Sequence, residues 1–261
     1  MPINVVLILE TFVAFVIALT LHECGHAAVA LLLGDSSPAR DGRLALNPVR
    51  HMAPIGTLVA AVLSFFPTYA GIGWGKPMRL DSSRLRGGPD LGIMLVALAG
   101  PIVSALVGLG ILLGIQFVPG YQRLNLYATS LGSPCSIFAG KFGQSLEQCL
   151  APVQGAWVLR LEQFAILVGV TSLLLALVNL IPLYPLDGYQ VVFALLPNNP
   201  AVTWRRWEPY MEATLLIIFF AIPVLLRFIG VFFDPATLFQ GLALAIAARV
   251  AGPAIFLMNL L

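Results

Sequence analysis

Residues 4–33 read NVVLILETFVAFVIALTLHECGHAAVALLL, an apolar run that carries a histidine, a glutamate and a second histidine within five positions. A transmembrane helix needs roughly 20 mostly apolar residues, so this run is long enough to cross a bilayer. A cleaved signal peptide is the alternative, but no basic residue precedes the run, and its apolar part exceeds the roughly 7–15 residues of such peptides. The sequence therefore predicts a first membrane-spanning helix with a polar cluster near its end.

The polar cluster has the spacing of a metal site. His22 and His26 are four residues apart, so on a helix they project from one face, one turn apart. Two imidazoles placed in this way can bind one zinc ion, and Glu23 can take a proton from zinc-bound water. The five-residue pattern alone recurs by chance in soluble proteins. Inside an apolar span, however, ionisable groups are costly and are functional by default, which favours metal binding.

The composition of the whole chain indicates a membrane protein. Of its 261 residues 59% are hydrophobic and only 10% are charged, whereas soluble domains have about 25% charged residues. The net charge of +2 gives no field that would attract nucleic acid. We therefore predict an all-α polytopic membrane protein with one domain over residues 1–261. Five spans are predicted, at about 4–33, 91–115, 161–183, 211–231 and 237–260.

Residues 53–75 are apolar but do not resemble a span. Glycine and proline lie at both ends, Pro67 interrupts the segment, and β-branched and aromatic residues favour extended structure. We predict a re-entrant β-hairpin with Pro67 near its turn. Non-helical backbone is tolerated at membrane depth only where protein or a cavity satisfies its polar groups, so the hairpin should pack beside a functional site.

The distribution of arginine and lysine predicts which loops face the cytoplasm. Half of the basic residues, seven of 14, lie in segment 35–90, which the positive-inside rule places in the cytoplasm. Loop 116–160 is then extracytoplasmic, where its Cys135 and Cys149 are able to form a disulfide. The sequence leaves open whether these two cysteines pair.

A catalytic zinc ion takes three protein ligands and leaves one open position, so a third ligand is required. Cys24 points about 100° away from its neighbours on the helix, and His51 lies in a basic loop. Asp187 is the better candidate, because it follows an apolar span within NLIPLYPLDGYQ (179–190), where prolines break the helix. A solvent-exposed aspartate at a helix end is the alternative interpretation.

Two motifs together resemble the site-2 protease family of intramembrane metalloproteases. That family pairs HExxH, here LHECGHA (21–27), with a later N-x-x-P-x-x-x-x-D-G, here NLIPLYPLDG (179–188). Further resemblances follow in the family's order: GRLALNP (42–48), HMAPIGT (51–57), GWGKP (73–77) and the Gly-Pro at 100–101. The matching motifs extend over roughly two-thirds of the chain.

The resemblance implies a role for each matching residue. His22, His26 and Asp187 would bind one zinc ion per chain, and Glu23 would be the general base and then the proton donor. Asn179 would help to position the substrate or an oxyanion. If segment 35–90 is cytoplasmic, all three ligands reach a similar depth near the cytoplasmic face.

The resemblance also implies an architecture. Three core helices, at about 4–33, 91–115 and 161–183, would form a catalytic core over about 4–190, with accessory helices over about 211–260. Segment 53–80 would add a small sheet beside the site. No PDZ insert or CBS tail is evident, so a compact member is expected.

Some positions depart from the family pattern without touching the expected ligands. Many members have asparagine where this chain has Ser104, and a second glycine where it has Tyr189. The family's HxDPxG motif lacks its carboxylate here, because Ala53 occupies that position.

The function implied is an endopeptidase of a prokaryotic inner membrane that cleaves a single-span substrate, such as a membrane-tethered regulator. Lipid is the other expected partner, and no nucleic acid is expected. The alternatives are a zinc transporter, in which the same residues form a transit site, and a non-catalytic scaffold with a structural zinc. The sequence leaves the oligomeric state open.

Overall fold

The computed structural model describes residues 5–64, 73–119, 121–122, 156–196, 206–230 and 235–252. These residues form a helical bundle, and no β-sheet occurs within these ranges. The helices are α1 Val5–Leu32, α2 Ser37–Arg40, α3 Pro48–His51, α4 Pro54–Leu63, α5 Pro89–Ile115, α6 Ala156–Asn179, α7 Asp187–Leu195, α8 Glu208–Leu216, α9 Ile222–Phe228 and α10 Pro235–Ala251. Short 3₁₀ and π segments occur at Ser82–Arg84 and Ile217–Ala221.

Three helices of the described chain are long and apolar enough to cross a membrane: Val5–Leu33, Pro89–Ile115 and Arg160–Asn179. They coincide with the three predicted core spans. In the most hydrophobic part of the third span 72% of the residues are buried inside the protein, against 39% and 44% in the first and second. Helix α6 is therefore central, and α1 and α5 pack against it and against each other.

The predicted fourth and fifth spans are not confirmed. The fourth divides into α8, a five-residue π segment and α9. Pro223 is the second residue of α9. Because proline has no backbone N–H, one hydrogen bond to the preceding turn is missing where the π segment meets α9. The fifth is the 17-residue α10, which is shorter than a typical span; its predicted end lies outside the described residues.

Extended structure was predicted for residues that form α4, and that prediction is wrong for 54–63. Pro54 occupies the start of α4, where no N–H is needed and where the ring's backbone angle suits a helix. Within the described residues that follow α4, Gly75 pairs with Met52 in one isolated antiparallel bridge. The predicted turn at Pro67 lies outside the described residues, as do Cys135 and Cys149.

Helices α5 and α6 approach closely where two glycines meet. A Cβ atom at Gly108 would lie 2.7 Å from the Gly169 carbonyl oxygen and 2.9 Å from Leu173 Cγ. Small residues permit such backbone approach between membrane helices, where dispersion contacts supply much of the packing energy. This crossing holds α5 against the central helix.

Gly108→Ala is therefore expected to lower the free energy of unfolding by about 1–3 kcal/mol, because the added methyl group overpacks the crossing. Gly110→Ala is the matched control, since a Cβ at Gly110 meets nothing within 4 Å. Thermal or denaturant unfolding of the detergent-solubilised protein measures both. Equal stability of the two variants would show that the crossing tolerates a side chain.

Asp35 joins the end of the first span to segment 73–85. Its carboxylate is fully buried and accepts hydrogen bonds from the Ser37 N–H at 2.9 Å and the Asp81 N–H at 2.7 Å. Burial alone would raise the pKa of Asp35, but the hydrogen bonds from Asp81 and Ser37 outweigh it and hold the pKa below its ordinary value. The ionised form is thus the one that stabilises this junction.

Because the folded-state pKa of Asp35 is lowered, its contribution is present above the unfolded pKa of about 3.9 and is lost as pH falls through the folded value. Asp35→Asn should cost about 1–3 kcal/mol near pH 7, and less as pH falls below about 4. Asp41→Asn, at an exposed position, is the control. A cost for Asp35→Asn that is the same at every pH would contradict this assignment.

Candidate metal centre

Helix α1 presents two buried imidazoles on one face. His22 is 3% exposed and His26 7%, and their Nε2 atoms are 3.1 Å apart. The rings meet edge to face, with an interplanar angle of 86°. The spacing of four residues brings the two nitrogens to one point, as the helical period requires.

Asp187 joins His22 and His26 from a distant part of the sequence. It is the first residue of α7, and its Oδ2 lies 3.0 Å from His22 Nε2 and 3.3 Å from His26 Nε2. The chain turns back tightly between α6 and α7, and a Cβ at Gly188 would overlap the carbonyl oxygens of Leu180 and Ile181. Glycine at 188 therefore permits the turn that directs Asp187 towards the histidines.

Hydrogen bonds to the Nδ1 atoms orient both rings. His26 Nδ1 is 2.7 Å from the Val96 carbonyl oxygen, which can only accept, so Nδ1 carries the proton. In the neutral ring the Nε2 lone pair then faces Asp187. His22 Nδ1 is 3.0 Å from Ser104 Oγ, which supports the same orientation. Metal-binding histidines are commonly held through the second nitrogen in this way.

The three donor atoms fit a divalent cation. Zinc bonds to nitrogen or oxygen of about 2.0–2.1 Å place tetrahedral ligands about 3.3–3.4 Å apart. The observed separations among His22, His26 and Asp187 are 3.0, 3.1 and 3.3 Å. Asp187 Oδ2 is buried and accepts no hydrogen bond of good geometry from the described residues, although both Nε2 atoms lie close to it. Three lone-pair donors therefore converge where a cation would satisfy them.

A glycine on α5 makes room for the two rings. A Cβ at Gly100 would overlap His26 and would lie 2.7 Å from His22 Cε1. Pro101 follows directly inside the helix. Gly100 thus lies against both imidazoles, which accounts for glycine at this position in steric terms.

Glu23 lies on the same helical turn, next to the first ligand, and is partly exposed. Its carboxylate is so close to Gly75 that a Cβ there would overlap it. Gly75 belongs to the extended segment that pairs with Met52, and the His51 carbonyl accepts a hydrogen bond from the Lys76 N–H at 2.7 Å. Segment 73–77 therefore covers the side of α1 that carries Glu23.

The two other candidates for third ligand lie outside the ligand group. His51 is completely buried, and its Nε2 donates to the Ala45 carbonyl oxygen at 2.8 Å. Cys24 Sγ is 3.6 Å from the Arg43 carbonyl oxygen and 3.8 Å from His51 Nε2. Among the described residues, the group of metal-ligand type consists of His22, His26 and Asp187.

Asn179 ends α6, and its side-chain N–H donates to the Leu175 carbonyl oxygen at 2.9 Å within the same helix. Its role in substrate positioning stays a prediction.

The sequence does not predict the hydrogen-bond partners of the two imidazole rings, Val96 and Ser104. Val96 acts through its backbone, so its side chain gives no signal. Ser104 had a signal, because it occupies the position where many site-2 proteases have asparagine, another hydrogen-bonding residue.

An apolar helical bundle in which an HExxH motif meets a distant aspartate is typical of a membrane metalloprotease. The chain belongs to peptidase family M50, whose model matches residues 80–226, more than half of the chain, including Asp187. It is also 30% identical over 210 residues to "Putative zinc metalloprotease YwhC" of Bacillus subtilis (strain 168), covering 79% of this chain and 78% of that protein. No solved structure gives a significant match.

Ser104→Ala should lower zinc affinity about 10- to 100-fold, because His22 loses the hydrogen bond that orients it. Ser104→Thr keeps the hydroxyl group and should retain most of the affinity. Ser172→Ala is the matched control, since that buried hydroxyl donates to the Val168 carbonyl of its own helix. Competition with a zinc chelator gives the affinities. Unchanged affinity in Ser104→Ala would remove this residue from the metal centre.

Proposed function

We propose that this metalloprotease is an intramembrane zinc endopeptidase of the site-2 type, which cleaves a membrane-spanning protein near the cytoplasmic face. One observation carries the proposal: two imidazoles and a carboxylate converge beside a glutamate within apolar helices. Such polar groups are costly in a membrane and mark functional sites. Membership of family M50 supports the hydrolytic chemistry.

His22, His26 and Asp187 are the proposed ligands of one zinc ion. When bound, zinc polarises a scissile carbonyl and lowers the pKa of water towards 7. The Nδ1 hydrogen bonds to Ser104 and Val96 keep the Nε2 lone pairs directed inward. Three protein ligands leave a position open, as catalytic sites require, whereas a structural site normally has four. The donor count therefore favours catalysis over a scaffold.

Glu23 is the proposed general base. It accepts the proton of the attacking water and returns it to the leaving amine. Its place against Gly75 brings it beside the extended segment 73–77, where a substrate backbone would lie. Asn179 is the proposed residue for positioning the substrate or an oxyanion; its amide currently bonds to the Leu175 carbonyl.

The substrate must be locally unwound, because a helix hides its carbonyl groups. Segment 73–77 offers an extended edge that would pair with such a strand by β-augmentation. The proposed substrate is a single-span protein, such as a membrane-tethered regulator. The positive-inside rule applied to segment 35–90 supports a cytoplasmic position of the site in a prokaryotic inner membrane.

Two substitutions separate zinc binding from proton transfer. Asp187→Asn should lower zinc occupancy, because a neutral amide is a poorer ligand than a carboxylate, and should abolish cleavage. Glu23→Gln should retain zinc and abolish cleavage, because only the proton acceptor is lost. Metal content of the purified protein and cleavage of a single-span substrate are the two readouts.

Glu10→Gln is the matched control for Glu23→Gln. It makes the same change on α1 thirteen residues earlier, about 20 Å away along the helix axis, and should leave both readouts unchanged. Full zinc occupancy in Asp187→Asn would remove that residue from the site. Undiminished cleavage by Glu23→Gln would overturn the mechanism, and zinc flux through proteoliposomes would favour a transporter instead.

A further inference from the structure

A cavity of about 200 Å³ lies between the start of α5, the loop that leads into α7, α7 itself and the start of α8. An engineered cavity of about 150 Å³ holds benzene, so this one has room for a large side chain. Its walls include Ile93, Tyr184, Leu186, Tyr189, Phe193 and Glu208.

Two lining residues of the cavity are close in sequence to residues of the metal centre. Leu186 immediately precedes Asp187. Ile93 is three residues before Val96, whose carbonyl holds the His26 ring, and three residues correspond to about 4.5 Å along a helix. A residue bound in the cavity would therefore be close in sequence to a peptide bond at the site.

The lining combines aromatic rings with one carboxylate. Tyr189 packs edge to face on Tyr184 with ring centres 5.6 Å apart, and stacks with Phe193 at 5.9 Å. The Tyr189 hydroxyl donates to Glu208 Oε1 at 2.6 Å, which holds the carboxylate at the cavity wall. Aromatic faces and a carboxylate both attract cations, so this lining suits a positively charged group on an apolar stem.

We propose that this cavity is a recognition pocket for a juxtamembrane lysine or arginine of the substrate. The inference rests on the proposed function and on the proposed cytoplasmic position of the site. Single-span proteins carry lysine and arginine just beyond the cytoplasmic end of their span. The cavity lies beyond the end of the third span, at the end of the bundle that holds the metal ligands. Such a residue would place the adjoining end of the substrate span at the zinc.

The test uses a single-span model substrate whose cytoplasmic flank has glutamine at every position, and into which one lysine is introduced at successive positions. With the wild-type enzyme, lysine at one position should raise kcat/KM about tenfold over glutamine there. In Glu208→Gln this ratio should fall to near one. In Glu208→Lys, glutamate at the same position should be preferred over lysine.

Asp90→Asn is the matched control, because it removes one negative charge from an exposed position at the start of α5, outside the cavity lining. It should keep the tenfold ratio. A purely structural role of Glu208 would lower cleavage of both substrates and leave their ratio unchanged, which would overturn the proposal. Equal cleavage of all substrates by the wild type would do the same.

Failure of the proposed function is a separate outcome. If the wild type cleaves no substrate of the series, the protease assignment fails. The affinity of the protein for the substrates then tests whether the cavity recognises lysine. Affinities of the lysine and glutamine substrates for the Glu23→Gln protein in detergent give that result. Tighter binding of the lysine form, lost on additional Glu208→Gln substitution, supports the pocket, and equal affinities overturn it.

Discussion

Two imidazole nitrogens and one carboxylate oxygen meet within 3.3 Å of one another inside an apolar helical bundle, and the surrounding structure serves that meeting. Buried lone pairs and a buried carboxylate are costly without a partner, because little water reaches them. The neighbouring helices supply what the group needs. Ser104 and Val96 orient the rings, Gly100 gives them space, and Gly188 permits the turn that delivers the carboxylate. A cation would balance the remaining electrostatic cost.

The region from the end of α2 to the end of α3 holds the segment over the proposed base. The Arg43 guanidinium donates to the Pro77 carbonyl oxygen at 3.0 Å, and the His51 carbonyl accepts from Lys76 at 2.7 Å. These bonds hold the extended residues 73–77 next to Glu23. His51, which the sequence offers as an alternative metal ligand, therefore has a structural role, because its carbonyl oxygen holds the segment that covers Glu23. Glu23 therefore faces a segment that Arg43 and His51 hold in place.

The predictable and unpredictable parts of the site differ in their physical origin. The pairing of His22 with His26 follows from the helical period, and a helix break before Asp187 follows from proline chemistry, so both are readable locally. Ser104 is 82 residues away from His22, and only tertiary packing brings it to the ring. The prediction of extended structure failed at residues 54–63, because their apolar and β-branched composition suits a strand and a buried helix alike. Pro54 starts a helix there. The fourth predicted span has the required hydropathy, but periodicity does not reveal its π segment.

The most direct test of this account is X-ray absorption at the zinc edge of the purified full-length protein. The account predicts one zinc per chain, with a coordination shell of nitrogen and oxygen atoms only, at about 2.0–2.2 Å, and with the outer-shell signal of two imidazoles. A sulfur shell at about 2.3 Å would bring Cys24 into the site and contradict the assignment of Asp187 as third ligand. A proteolytically active preparation without bound zinc would contradict the account as a whole.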